Sequence, residues 1–246
     1  MLPFHALFVV ASILGQPGNL PSFIKKYSRS MTFYYESTDP SRAMVMMKAF
    51  LEKSNIEDSW YENKAHVQAI IGSQFADIAR GNPQVLRGYE EEFETTTTTA
   101  GRKFLLKVLA QCGDPATALK AQSWLNHDKF TAVRPGVEAL KKILDGPPPK
   151  HVADRAAKTP DDLDLLWANF FITGQYPAVS RILDVLDLPE DRQNAVLKRV
   201  ARWSLASNLQ QHPKLTKLVN EHLEERGELS RKAFKEITLE MAQSGR

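Results

Sequence analysis

The sequence predicts an all-α fold, an irregular α-solenoid-like stack of antiparallel helical hairpins. Three observations support this prediction. A capping residue followed by proline recurs along the chain, and this pair is typical of a helix start because proline suits the first turn and Asp, Asn or Thr can cap the free amides. Apolar residues recur at spacings of three and four. No segment shows the alternation of apolar and polar residues that is typical of a strand.

In the N-terminal half these starts lie at Asp39-Pro40, Asn82-Pro83, Asp114-Pro115 and Arg134-Pro135. The first start opens an apolar stripe of Ala43, Met46, Met47, Phe50 and Leu51. The polar run of threonines at 95–99 has no apolar alternation, so we expect a loop whose last members cap the helix that contains Phe104.

The best-formed start is Thr159-Pro160, which two carboxylates follow in the first turn, where the helix dipole favours negative charge. Its stripe consists of Leu163, Leu166, Trp167, Phe170 and Phe171. Thr173-Gly174 then predicts a helix end, because glycine tolerates the left-handed conformation of a C-cap. A returning helix follows after a very short connection, so the pair is predicted to be an antiparallel hairpin.

A further predicted stripe contains Val196, Val200 and Trp203. Trp124, Trp167 and Trp203 recur at separations of 43 and 36 residues, which fall in the range of two-helix repeat units. The unequal spacing and the lack of a shared consensus favour an irregular solenoid over a regular repeat array.

Four segments are predicted from these patterns. Residues 1–18 are a possible signal peptide or an N-terminal apolar helix, residues 19–145 an N-terminal helical half, residues 146–158 a proline-rich linker and residues 159–246 a C-terminal helical half. The linker is predicted because Gly146 is followed by three prolines, which cannot be helical and form a stiff spacer.

The apolar run at residues 2–14 (LPFHALFVVASIL) is too short to span a bilayer, so no integral membrane segment is expected. Its length matches the apolar region of a signal peptide, although no Lys or Arg precedes it. A secreted or periplasmic location is therefore predicted, and a cytoplasmic protein with a docked N-terminal helix is the alternative.

The segment LDLLWANFFITGQYPAVSRIL, at residues 163–183, resembles a group of uncharacterised bacterial proteins with a leucine-aspartate, leucine-tryptophan, double-phenylalanine and threonine-glycine pattern. The segments FYYESTDPSRA, IARGNPQV and ARWSLASN are similar to the same group. The resemblance implies a helical protein that often carries an export signal, and it implies no activity and no catalytic residues.

Composition and motifs exclude several chemistries. The 32 basic residues are nearly matched by 29 acidic ones, so the net charge of +3 gives little support for nucleic-acid binding. A single cysteine, Cys112, allows no disulfide within the chain and is interpreted as a small buried apolar side chain. The six histidines form no HExxH pair, and no phosphate-binding glycine loop or GxSxG elbow occurs.

The sequence therefore predicts no catalytic, cofactor-binding or metal-binding residues. The clustered acids, such as Asp161 and Asp162, are better explained by helix ends than by catalysis. The leading hypothesis is a non-catalytic helical binding protein whose partner is a protein or peptide, with Asn169, Gln175 and Asn208 as candidate groove residues. An enzyme of unrecognised type is the first alternative, and a nucleic-acid-binding protein is the second.

Overall fold

The computed structural model describes residues 27, 29–54, 65–192 and 194–244. These residues form α-helices, short 3-10 helices and connecting turns, and no strand occurs among them. The prediction of an all-α protein is confirmed. Residues 2–14, on which the export prediction depends, lie outside the described part of the chain.

The chain divides into two compact units. The N-terminal unit comprises residues 36–150, and the C-terminal unit comprises residues 151–244 together with the described residues up to Tyr35. The division at Lys150 falls within the segment 146–158, and the stretch around the three prolines is not helical. Residues 27 and 29–35, which precede the predicted start at Asp39-Pro40, thus lie with the C-terminal helices.

Six α-helices are described in the N-terminal unit, with a 3-10 helix at Asp128–Val133 between the last two. They are α1 (Pro40–Ser54), α2 (Ala65–Arg80), α3 (Pro83–Thr95), α4 (Thr99–Cys112), α5 (Ala116–Leu125) and α6 (Arg134–Leu144). The predicted capping chemistry is present: Asn82 accepts the amides of Gln84 and Val85, and Thr98 accepts the amide of Gly101. The four predicted helix starts in this half are confirmed.

Aromatic side chains form the centre of the N-terminal unit. The ring of Phe50 lies 4.8 Å from that of Phe104, and the ring of Phe93 lies 4.4 Å from that of Trp124. All four side chains are buried. Such ring pairs add to the free energy of burying their area, so these clusters hold α1, α3, α4 and α5 in place.

In the C-terminal unit, the described residues 27 and 29–32 are helical, and a 3-10 helix follows at Tyr34–Glu36. Beyond residue 150 the unit has 3-10 helices at Val152–Asp154 and Leu223–Glu225 and five α-helices. They are α7 (Pro160–Thr173), α8 (Tyr176–Leu186), α9 (Ala195–Gln211), α10 (Pro213–His222) and α11 (Glu228–Ser244). Thr159 and Asp162 form a reciprocal capping box at the start of α7, and Gly174 ends it with φ of +59°. The start and the end predicted for this helix are both confirmed.

One predicted apolar stripe is wrong. Val196 and Trp203 are 52% and 49% exposed, so they do not form the buried face of α9. The buried face consists of Leu197, Ala201, Ser204, Leu205 and Leu209. Because α9 carries apolar residues on two faces, helical spacing alone does not decide which face packs on the core.

Within the described residues, no helix combines the length and the apolar character needed to cross a lipid bilayer.

Candidate functional site

Asn169 lies in the core of the C-terminal unit. Its side chain is 2% exposed, and its amide nitrogen lies 3.3 Å from Nε2 of His151. The backbone carbonyl of Asn169 accepts a hydrogen bond from the Thr173 hydroxyl. Buried amides need such partners, so Asn169 joins α7 to the segment before it.

The other two predicted groove residues lie in a connection and on α9. Gln175 is exposed in the connection before α8, and its backbone amide donates to the Thr173 hydroxyl. Asn208 is half-buried on α9 and donates to the carbonyl of Ser204, one turn earlier in the same helix. These bonds are local, of the kind that polar side chains form at helix ends and along helix surfaces.

An exposed apolar surface lies on α9. We call it the outer face of α9 and define it by Val196, Arg199, Val200 and Trp203. At 3.6 residues per turn, positions 196, 199 and 203 point in similar directions and away from the buried Leu205. Val196, Arg199 and Trp203 are exposed, and Val200 is half-buried at the margin.

The basic residues beside the outer face differ in their contacts. Lys198 donates to the Leu188 carbonyl at 2.7 Å and forms an ion pair with Glu190 at 2.9 Å. Arg202 bridges to Glu236 and Glu240 on α11, at 2.9 Å each. Arg199 therefore supplies positive charge within the outer face, whereas Lys198 and Arg202 connect α9 to its neighbours.

A second feature is a fully buried histidine at the junction of α9 and α10. His212 is 0% exposed, and four aromatic rings surround its imidazole. The ring-centroid distances to Phe33, Tyr35, Phe170 and Phe171 are 4.7, 5.7, 5.7 and 5.1 Å. We call these five residues the His212 cluster.

The His212 imidazole has one hydrogen-bond partner among the described residues. Its Nδ1 lies 2.9 Å from the hydroxyl of Tyr35, while Nε2 is buried without a partner there. Burial lowers the pKa of His212 to about 4, because the charged form loses its hydration. The imidazole is consequently neutral at pH 7.

Sequence reasoning missed the His212 cluster. The structure places the rings of Phe33 and Tyr35 against His212. Tyr35 and His212 are 177 residues apart. Local spacing carries no signal for such a pair.

Glu90 and Cys112, two titratable groups of the N-terminal unit, have structural contacts. Glu90 is buried and holds Lys120 at 2.7 Å and the Thr117 hydroxyl at 2.8 Å. Burial raises the pKa of the Cys112 thiol to about 12, so it stays protonated and is a poor nucleophile. These groups stabilise the fold without forming a nucleophile and base pair.

Comparison with known proteins adds no family. No protein-family model, no curated protein and no solved structure matches the chain.

Proposed function

We propose that this chain is a non-catalytic binding protein that engages a protein or peptide partner through the outer face of α9. The observation that carries the proposal is the exposure of Val196 and Trp203, at 52% and 49%, on one side of a single helix. Tryptophan is among the residues that contribute most to binding energy when a partner buries it.

The chemistry of the outer face favours a particular kind of partner. Val196, Val200 and Trp203 offer apolar contacts, and the exposed Arg199 adds a positive charge between them. An amphipathic segment with apolar residues and a carboxylate would match both properties, as in recognition between helices. The expected partner is therefore a protein or peptide with an acidic, amphipathic helix.

Two other functions have less support. An enzyme needs acids, bases or nucleophiles that converge on a substrate, and the described acids such as Asp162 and Glu90 are held in caps and buried pairs. A nucleic-acid-binding surface needs a collected set of basic residues, whereas Arg202 and Lys120 are paired with carboxylates.

The proposed compartment is the bacterial cell envelope. This part of the proposal is supported by the apolar run at residues 2–14 and by the resemblance to bacterial proteins that carry export signals. Fractionation of the native host, with detection of the chain in each fraction, tests it.

The binding proposal is tested with a C-terminally tagged chain, used to capture proteins from the native host after crosslinking. Trp203→Ser removes the largest side chain of the outer face. Leu119→Ser is the matched control, because Leu119 is 79% exposed on α5 of the other unit. We expect a partner that the native chain and the Leu119→Ser variant capture and that the Trp203→Ser variant loses.

Fluorescence gives a second readout with the purified partner. Trp124 and Trp167 are buried, so the emission of Trp203 is the component that a partner would shield from water. Trp60 lies outside the described residues and is replaced by Phe in all samples. A blue shift of the Trp203 emission is expected when the partner binds. The proposal would be refuted if the Trp203→Ser variant captured the partner as well as the native chain and Trp203 in the native chain showed no shift.

A further inference from the structure

We propose that His212 and Tyr35 form an acid-sensitive latch that holds residues 29–35 on the helices of the C-terminal unit and releases them when His212 is protonated. This inference is independent of the outer face of α9 and of any binding partner. It rests on the geometry of the His212 cluster.

Tyr35 is the residue that fixes the segment. Its hydroxyl lies 2.9 Å from Nδ1 of His212, and its ring lies 5.4 Å from that of Phe170. Nζ of Lys214 lies 5.2 Å from the centroid of the same ring, a cation–π contact. A Cβ placed on Gly174 would be 2.9 Å from Cβ of Tyr35, so the segment packs closely against the end of α7.

The neighbouring residues of the segment are buried as well. Met31, Thr32 and Tyr34 are 1%, 6% and 3% exposed, and the ring of Phe33 lies on His212. Protonation of His212 therefore acts at the contact between this buried segment and the helices α7, α9 and α10.

The groups that face His212 offer no compensation for a positive charge. The segment contributes the Tyr35 phenol and α7 contributes the rings of Phe170 and Phe171, while the cation of Lys214 on α10 lies over the Tyr35 ring. Burial lowers the pKa of His212, and no carboxylate of the described residues contributes an opposing upward shift. A protonated imidazole in these surroundings carries an unpaired charge and is strongly disfavoured.

Protonation also changes the hydrogen bonding of the ring. Both ring nitrogens of an imidazolium are donors. The Tyr35 hydroxyl can accept from Nδ1, but Nε2 is buried without a partner among the described residues and would carry a second donor. The charged ring gains hydration only if the contact with residues 29–35 opens.

Hydrogen exchange of the full-length chain tests the latch. Peptides covering residues 29–35 are followed by mass spectrometry between pH 7.5 and pH 4.5, with correction for the intrinsic exchange rates. If the imidazole titrates at its ordinary value of 6.5 when open and at about 4 when closed, the opening equilibrium rises roughly 50- to 100-fold over this range. Peptides from α4, in the other unit, serve as an internal reference.

Three variants separate the latch from general acid sensitivity. His212→Phe keeps an aromatic ring that cannot ionise, and its exchange at residues 29–35 should be independent of acid. Tyr35→Phe removes the hydroxyl, so opening should be more frequent at every pH while the acid response remains. His222→Gln removes a partly exposed imidazole from the same unit, and it should respond as the native chain does.

Two results would overturn the proposal. One is equal protection of residues 29–35 at both ends of the pH range in the native chain. The other is release of residues 29–35 in the His212→Phe variant at the same pH as in the native chain. Should that variant not fold, nuclear magnetic resonance titration of the native His212 decides: titration near its ordinary value with residues 29–35 still protected refutes the latch.

Discussion

A carboxylate oxygen of Asp187, at the end of α8, accepts a 2.9 Å hydrogen bond from the backbone amide of Ser230 in the first turn of α11. The residue before α11 is Gly227, whose carbonyl accepts a hydrogen bond from the amide of Arg231. Glycine has no side chain that could cap the helix. A Cβ at Gly227 would lie 2.5 Å from Cγ of Asp187. The cap of α11 is thus supplied by a residue 43 positions earlier in the chain.

Asp187→Ala should destabilise the C-terminal unit. Loss of an N-cap acceptor costs about 1–2 kcal/mol, and here it also frees α11 from α8. Urea unfolding followed by circular dichroism measures the change. Glu221→Ala is the control. Glu221 is half-exposed, and its ion pair with the exposed Lys217 is long, at 3.8 Å, so it contributes little stability. The free energy of unfolding of this variant should match that of the native chain. Equal effects of the two substitutions would contradict the role of the cap.

Trp167→Ala should be far more destabilising than Trp203→Ala. Trp167 is 1% exposed and lies 6.0 Å from the ring of Phe170, so its removal opens a cavity and should cost on the order of 3–5 kcal/mol. Trp203 is 49% exposed, and its removal should change the free energy of unfolding by less than about 1 kcal/mol. Thermal unfolding of both variants measures the difference.

A third substitution tests the packing around Trp167. The indole nitrogen of Trp167 is buried without an acceptor among the described residues. Trp167→Phe therefore removes an unpaired donor together with part of the ring. This variant should lose much less stability than Trp167→Ala. Similar melting temperatures for Trp167→Ala and Trp203→Ala would show that Trp167 is not in the core.

Gly113→Ala should destabilise the N-terminal unit. Gly113 ends α4 with φ of +70°, a conformation that side chains rarely adopt, and a Cβ there would lie 2.9 Å from Cδ of Pro149. The strain and the contact together should cost about 1–2 kcal/mol. Gly81→Ala is the matched control in the same unit, since nothing lies within 4 Å of its Cβ position. Chemical denaturation of both variants measures the difference. The same midpoint denaturant concentration for the two variants would contradict this account.

The features that sequence predicts here are those that a few neighbouring residues determine. Thr159 and Asp162 are three positions apart, and together they place the start of α7. The buried face of α9 could not be predicted, because that helix carries two apolar faces and only its neighbours select Leu205 over Trp203. Contacts over long separations, such as Tyr35 with His212, leave no local pattern at all.

The stability of the C-terminal unit should depend on pH through His212. The folded pKa of about 4 lies below the ordinary value of 6.5, so the unfolded chain binds more protons between these values. The stability that the neutral imidazole contributes is therefore complete above pH 6.5 and is lost as the pH falls toward 4. The full loss from this one residue is roughly 3 kcal/mol.

The measurement is the difference in unfolding free energy between the native chain and the His212→Phe variant at each pH. Taking this difference cancels the titration of the other groups. The two unfolding free energies should keep a constant difference from pH 8 down to about pH 6.5, and the native chain should then lose stability faster. Since Phe cannot be protonated, the gap should change by roughly 3 kcal/mol by pH 4. Parallel curves over the whole range would mean that His212 has the same pKa in the folded and unfolded chains, as a hydrated imidazole would, contrary to its enclosure by Phe33, Tyr35 and Phe171.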